Sequence, residues 1–135
     1  MKELPEAIVA IIRRDGRMLV IQRGPGSILP GYWSPPSGRI EPGESQSEAL
    51  VREMREELGI TVHPVSKVWE CLTDGGEYRL HWWLVSEEGG LITPAPAEVS
   101  GLKWVDAAAF MALPLTQTFE GDREFFRAVF PALPD

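Results

Sequence analysis

Apolar stretches near the N-terminus predict two adjacent strands joined by a tight turn. Residues 6–13 form a continuous apolar run that is typical of a buried strand, and residues 18–23 form a second apolar run. Between them, Asp15 and Gly16 provide the Asp-Gly signal of a hairpin turn. The following residues, 24–36, are rich in Gly and Pro and predict a loop.

A helix is predicted over residues 45–58, where apolar positions recur at helical spacing. The apolar stripe of this segment consists of Leu50, Met54 and Leu58. Ser45 followed by Glu48 is the capping-box pattern that begins a helix. Gly59 comes directly after the last apolar position and fits a left-handed end to the helix.

The second half of the chain predicts further strands followed by helices. Strands are expected at 61–72, with an interruption near Pro64, and at 78–86 and 101–105. Along 78–86 the side chains of Leu80, Trp82 and Leu84 share one face, and those of His81, Trp83 and Val85 share the other. A short helix capped by Asp106 and a final helix from about residue 121 follow. This order favours an α+β fold with a mixed sheet between helices.

The predicted helix also carries a concentrated acidic face. Glu53, Glu56 and Glu57 stand at positions i, i+3 and i+4, which places three like charges on one side of a helix, within reach of a common point. A cation between them would offset their repulsion, and clustered carboxylate oxygens favour Mg²⁺, Mn²⁺ or Ca²⁺. The alternative is a solvated helix face that binds no metal.

The surrounding sequence resembles the Nudix box. Residues 38–60 match its pattern of Gly, five residues, Glu, seven residues, and then Arg-Glu-apolar-any-Glu-Glu-any-Gly-apolar. The matching positions are Gly38, Glu44, Arg52, Glu53, Met54, Glu56, Glu57, Gly59 and Ile60. One departure precedes the box: the family usually has Pro-Gly-Gly, and this chain has Ser37 before Gly38, which predicts a change in the local backbone because serine tolerates positive φ less well.

The resemblance implies a fold and a reaction. It implies a single Nudix domain over residues 1–135, folded as an αβα sandwich with a mixed β-sheet. It implies hydrolysis of a nucleoside diphosphate linked to another moiety, with a nucleoside triphosphate, an oxidised nucleotide or a small dinucleotide as the substrate. The alternative function is a catalytically silent domain that binds a nucleotide or a protein partner.

The resemblance also implies roles for the box residues. Glu53 and Glu57 are the expected metal ligands, and Glu56 is a further ligand or the base for the attacking water. The Gly38 carbonyl completes the expected metal site, and Arg52 is expected to orient the glutamates. Mg²⁺ is the expected cofactor, with Mn²⁺ as an alternative.

Four residues that are not fixed positions of the box pattern are also expected at the site. Glu98 matches a loop carboxylate that in many family members is a metal ligand or general base; the alternative is an exposed loop glutamate. Arg23 and Arg39 are expected to bind phosphate. Trp33, just ahead of the metal loop, is expected to stack on a nucleobase.

The composition limits which classes of binding partner and which cellular compartment are expected. The net charge of −7 argues against a general nucleic-acid surface, although a metal ion can bridge an acidic protein and a phosphate. Cys71 is the one cysteine, so no internal disulfide forms and a reducing, cytoplasmic location is expected. No window approaches 18 apolar residues, so no membrane span is predicted. The family resemblance allows a homodimer.

Overall fold

The computed structural model describes residues 3–134. Strands over this range are β1 (Glu6–Ile11), β2 (Arg13–Arg14), β3 (Arg17–Arg23), β4 (Trp33–Ser34), β5 (Ser37–Arg39), β6 (Val62–Leu72), β7 (Arg79–Glu87) and β8 (Val99–Val105). Helices are α1 (Gln46–Leu58), α2 (Ala107–Met111) and α3 (Glu120–Glu124). A 3₁₀ turn at Leu115–Gln117 precedes α3, and a π-helical turn at Phe125–Val129 and a 3₁₀ turn at Phe130–Ala132 continue it.

The strands form two four-stranded sheets. In the first sheet the order is β5-β1-β7-β6, with β1 parallel to β7 and the other pairs antiparallel. In the second sheet β3 is central and pairs antiparallel with β2, β4 and β8. The mixed sheet that the sequence predicts is therefore present, with a second antiparallel sheet beside it.

The sheets lie between helices because β1 is apolar on both faces. Ile8 and Ala10 pack in one buried cluster with the apolar stripe of α1. Val9 and Ile11 pack in a second cluster with Phe110 of α2 and with the phenylalanines that follow α3. A continuous apolar run is the expected pattern of a strand covered on both sides. The structure is thus the predicted αβα sandwich.

Helix α1 begins and ends with the predicted caps. The Ser45 hydroxyl accepts a hydrogen bond from the Glu48 backbone N–H, and the Glu48 side chain accepts one from the Ser45 N–H. Gly59 adopts φ 66°, the left-handed conformation that ends a helix. These two caps fix the ends of the segment that carries the acidic residues.

Several element boundaries differ from the sequence-based expectation. The expected loop at 24–36 contains β4, because a two-residue pairing with β3 gives no periodicity to detect. Strand β6 continues through Pro64, with a shift of register between Pro64 and Ser66 that accommodates the missing N–H. Strand β8 begins at Val99 rather than at 101, and α3 begins at Glu120 rather than at 121.

Candidate functional site

A cavity of about 230 Å³ opens between the C-terminal half of α1, the end of β3 and the segment before β8. Its lining residues are Ile21, Arg23, Gly26, Ser27, Ser34, Ser37, Glu57 and Glu98. A larger, shallower hollow of about 520 Å³ lies on α1, beside Arg55 and Pro64. The smaller cavity is the candidate site because it combines a buried carboxylate, a second carboxylate and an arginine.

Glu57 is the most strongly perturbed side chain of the cavity. It is only 7% exposed, and no ion pair among the described residues includes it. The pKa of Glu57 is raised from 4.5 to about 8, mainly by burial and also by the nearby charges of Glu53 and Glu98, while Arg23 opposes the shift. A buried carboxylate in a cleft without a hydrogen-bonded cation is typical of a functional site.

Glu53 lies one turn before Glu57 and packs directly on Gly38. A Cβ atom at position 38 would overlap the Glu53 side chain, so a glycine is required for this close approach. Burial is also the main cause that raises the pKa of Glu53, and the guanidinium of Arg52 opposes it. The box loop and the acidic face of α1 are therefore in direct contact.

Arg52 joins the box loop to the helix. Its Nε and Nη2 donate to the two carboxylate oxygens of Glu44 at 2.7 and 2.8 Å, and Nη2 also donates to the Arg39 carbonyl at 2.9 Å. Its Nη1 donates to Glu53 at 2.8 Å. The hydrogen bonds from Arg52 hold the pKa of Glu44 down at about 2. Arg52 is thereby placed to fix the orientation of Glu53.

Glu56 points elsewhere. Its side chain is 61% exposed, accepts a hydrogen bond from Arg52 at 3.2 Å, and lines the shallow hollow rather than the cavity. The three carboxylates at i, i+3 and i+4 thus do not all face one point, because Glu57 turns inward and Glu56 turns outward. Within residues 3–134, no three His, Cys, Asp or Glu side chains converge as a ready metal-ion ligand set.

Glu98 lies in the loop that leads into β8 and lines the cavity together with Glu57. Its backbone carbonyl accepts a hydrogen bond from the Gly24 N–H at 2.8 Å. A Cβ at Gly24 would collide with the backbone of Ala97 and Glu98, so this glycine is also required by a close approach. The contact sets the loop that carries Glu98 against the end of β3.

Arg23 is the cationic residue that lines the cavity. Its Nη1 donates to the Ile28 carbonyl at 2.9 Å, and its guanidinium lies 4.9 Å from the centre of the Phe119 ring. The ring of Tyr32 also lies 4.9 Å from Phe119. Burial lowers the pKa of Arg23, while the charges of Asp122 and Glu57 raise it. Arg23 therefore lies near the carboxyl groups of Glu57 and Asp122 and over an aromatic ring.

Asp122 is a residue of this region that the sequence-based reasoning missed. It is 7% exposed, and its Oδ2 has no hydrogen-bond partner among the described residues. Burial raises its pKa to about 8, and Arg23 opposes the shift. In the sequence Asp122 has the pattern of an ordinary acidic residue in a first helical turn, and only the tertiary structure reveals its burial.

Two of the expected substrate residues do not line the cavity. Ser34 lines it, so the neighbouring Trp33 projects from the other face of β4, where its ring lies 5.1 Å from the Lys103 ammonium. The exposed guanidinium of Arg39 lies 5.6 Å from the Tyr78 ring. Strand alternation turns Trp33 away from the cavity, whereas Arg39 lies at the far end of β5, two residues beyond Ser37, which lines the cavity.

The serine that departs from the family pattern causes no backbone strain. Ser37 lies in β5, where it pairs with Val9, and the non-glycine residues with positive φ in the described range are Asp15 and Leu29. The expected change in the local backbone is therefore wrong: an extended strand residue needs no glycine, and Gly38 alone meets the steric requirement.

Comparisons with known proteins identify the family of the chain. The family model "NUDIX domain" matches residues 2–129. The chain is 37% identical to a CTP pyrophosphohydrolase of Escherichia coli (strain K12), over 131 aligned residues that cover 96% of each chain. It is 32% identical over 114 residues to an NAD-capped RNA hydrolase NudC of Stutzerimonas stutzeri (strain A1501), covering 84% of this chain and 40% of that one.

Solved structures share the fold. The solution structure of the E. coli ORF135 protein superposes with a TM-score of 0.75 at 31% identity, covering 97% of this chain and 91% of that one. The crystal structure of a MutT protein from Methanosarcina mazei Go1 gives a TM-score of 0.79 at 24% identity, covering 98% and 97%, and shows likeness of fold alone. In the described part of this chain, no helix has the length and apolarity to cross a membrane.

Proposed function

We propose that this chain, which belongs to the NUDIX domain family and is a pyrophosphohydrolase, hydrolyses a cytidine nucleoside triphosphate. Mg²⁺ would be its cofactor, and residues 1–135 would act as one domain. The observation that carries the proposal is the cavity in which buried Glu57 faces Glu98 and Arg23. Carboxylates for a cation and an arginine for a phosphate are the groups that pyrophosphate hydrolysis requires.

The residues present fit a magnesium ion. Mg²⁺ is commonly held by one or two carboxylates, with waters and substrate phosphates completing its coordination. Buried Glu57 and the adjoining Glu53, one turn earlier on α1, supply carboxylates of this kind. Glu53, Glu57 and the Gly38 carbonyl would hold the ion, which when bound neutralises phosphate oxygens and lowers the pKa of water.

The protein groups would then divide the remaining tasks. Glu98, which lines the cavity from the opposite loop, would accept the proton of the attacking water. Arg23 would bind a phosphate oxygen, since it lines the cavity together with Glu57 and Glu98. Arg52 would keep Glu53 in a single orientation through its hydrogen bond. Glu56, bound to Arg52 and exposed, would support the site from outside the cavity.

The cytidine specificity rests on the relative. The E. coli protein that covers 96% of this chain is a CTP pyrophosphohydrolase.

We also propose a cellular location for the enzyme. A cytoplasmic location agrees with the single cysteine, because a lone Cys71 forms no internal disulfide. A homodimer stays a prediction from the family.

A substrate panel tests the proposed function. Release of pyrophosphate or phosphate would be measured with Mg²⁺ for CTP, dCTP, UTP, ATP, GTP, 8-oxo-dGTP and ADP-ribose. We expect kcat/KM for CTP or dCTP to exceed every other value by about tenfold or more, which corresponds to one good polar contact. Preferred hydrolysis of 8-oxo-dGTP would contradict the cytidine assignment. No hydrolysis of any compound would favour the catalytically silent alternative.

A further inference from the structure

The hairpin turn between β6 and β7 touches the start of α3, 46 residues further along the chain. Asp74 in this turn accepts a hydrogen bond from the Glu120 N–H at 2.8 Å and one from the Gly121 N–H at 2.9 Å. The first N–H groups of a helix have no partner within it. The residue in the cap position of α3, Phe119, supplies no side-chain hydrogen bond. Asp74 therefore supplies from a distant turn the cap that the local sequence lacks.

Two residues next to this contact lie beside Arg23, the cationic residue that lines the cavity. Phe119 immediately precedes Glu120, and its ring lies 4.9 Å from the Arg23 guanidinium. Asp122 follows two residues later, and its charge interacts with that of Arg23. A displacement of the start of α3 would therefore move both the aromatic surface beneath Arg23 and the buried carboxyl beside it.

We propose that Asp74 is a positioning residue for nucleotide binding: by holding the first turn of α3 it keeps Phe119 and Asp122 in register with Arg23. This inference rests on the proposed function, since it assigns Arg23 to the substrate. Nucleotide binding would then depend on a residue of an exposed hairpin turn that does not line the cavity.

A matched pair of variants tests the assignment. Asp74→Ala removes both hydrogen bonds to α3. Asp106→Ala removes a comparable cap from an equally exposed aspartate, which accepts from the Ala109 N–H at 2.8 Å at the start of α2. Both changes should lower the melting temperature by a few degrees, as loss of a helix cap does. We expect Asp74→Ala alone to raise KM for CTP about fivefold to tenfold, with kcat within about twofold of the parent.

Two further measurements make the outcome decisive. Asp74→Asn keeps one carbonyl oxygen as an acceptor and should give a KM between those of the parent and Asp74→Ala. Calorimetric binding of a CTP analogue with a methylene bridge between the α- and β-phosphates should weaken by the same factor as KM rises. Equal KM values for Asp74→Ala and Asp106→Ala would overturn the inference.

Arg23→Ala separates this inference from the proposed function. If Arg23→Ala raises KM and Asp74→Ala does not, the positioning role of Asp74 is refuted and the nucleotide site stands. If neither variant changes KM, the assignment of Arg23 to the substrate is refuted, and the role of Asp74 is refuted with it.

Discussion

Replacing Glu57 by Gln should stabilise the metal-free protein while it abolishes hydrolysis. Glu57 is 7% exposed, and its pKa is raised from 4.5 to about 8, mainly by burial. A raised pKa means that the folded state favours the protonated carboxyl. The resulting stabilisation is fully present below about pH 4.5 and is lost as the pH rises through about 8.

The size of the stabilisation follows from the difference between the two pKa values of Glu57, 4.5 and about 8. Each tenfold change in proton affinity corresponds to about 1.4 kcal/mol, so ionised Glu57 costs the fold at most on the order of 5 kcal/mol by pH 8. Water enters the open cavity and the Gln amide needs partners of its own, so we expect Glu57→Gln to recover about 2 kcal/mol. In a chain of this length that gain raises the melting temperature by about 5–10 °C.

The assay is thermal unfolding in EDTA between pH 5 and pH 8, with Glu56→Gln as the control. Glu56 lies next to Glu57, but its side chain is 61% exposed, so its replacement should change stability by less than about 0.5 kcal/mol. The stabilisation by Glu57→Gln should grow from pH 5 to pH 8. Addition of Mg²⁺ should then raise the melting temperature of the parent more than that of the variant. An equal or lower melting temperature of Glu57→Gln at pH 8 in EDTA would refute the reasoning.

Three further substitutions probe the remaining contacts. Gly38→Ala should lower kcat/KM at least about 100-fold, because its Cβ would displace the Glu53 side chain; a rate close to that of the parent would show that this contact is dispensable. Arg52→Lys keeps the charge but cannot reach Glu44, Glu53 and the Arg39 carbonyl together, so we expect kcat to fall about 10-fold to 100-fold. An unchanged kcat would argue against an orienting role of Arg52. Asp122→Asn should flatten the dependence of stability on pH. The pKa of Asp122 is raised to about 8, so the parent loses stability as the pH rises from about 4 through 8. If the urea midpoints of parent and variant change with pH in parallel, the burial of this carboxyl is contradicted.

The sequence alone predicts most of the fold, because its signals are local and agree with one another. The capping box at Ser45 and Glu48 and the glycine at 59 determine α1 to within one residue. The apolar run of β1 predicts burial on both faces, and the alternation in β7 separates Trp82 from Trp83 as expected. Short strands such as β4 escape prediction because two residues carry no period, and their pairing depends on β3.

The candidate site is predicted less completely, because helical spacing does not determine the direction of each side chain. Spacing placed Glu53, Glu56 and Glu57 on one side of α1, but a single step along the helix separates a buried carboxylate from one that is 61% exposed. Proximity along the chain favoured Trp33, but strand alternation turns its ring away from the cavity. Asp122 joins Arg23 only through the packing of α3, which no local pattern indicates.

We propose that the cavity beside Glu57 performs metal-dependent pyrophosphate hydrolysis. The most direct measurement is the initial rate of pyrophosphate release from CTP as a function of Mg²⁺ concentration, for the parent and for Glu57→Gln. We expect a rate that is absent in EDTA, rises to saturation with Mg²⁺, and falls at least about 1,000-fold in Glu57→Gln although that variant melts at a higher temperature. A rate that persists in EDTA, or a Glu57→Gln variant as active as the parent, would contradict it.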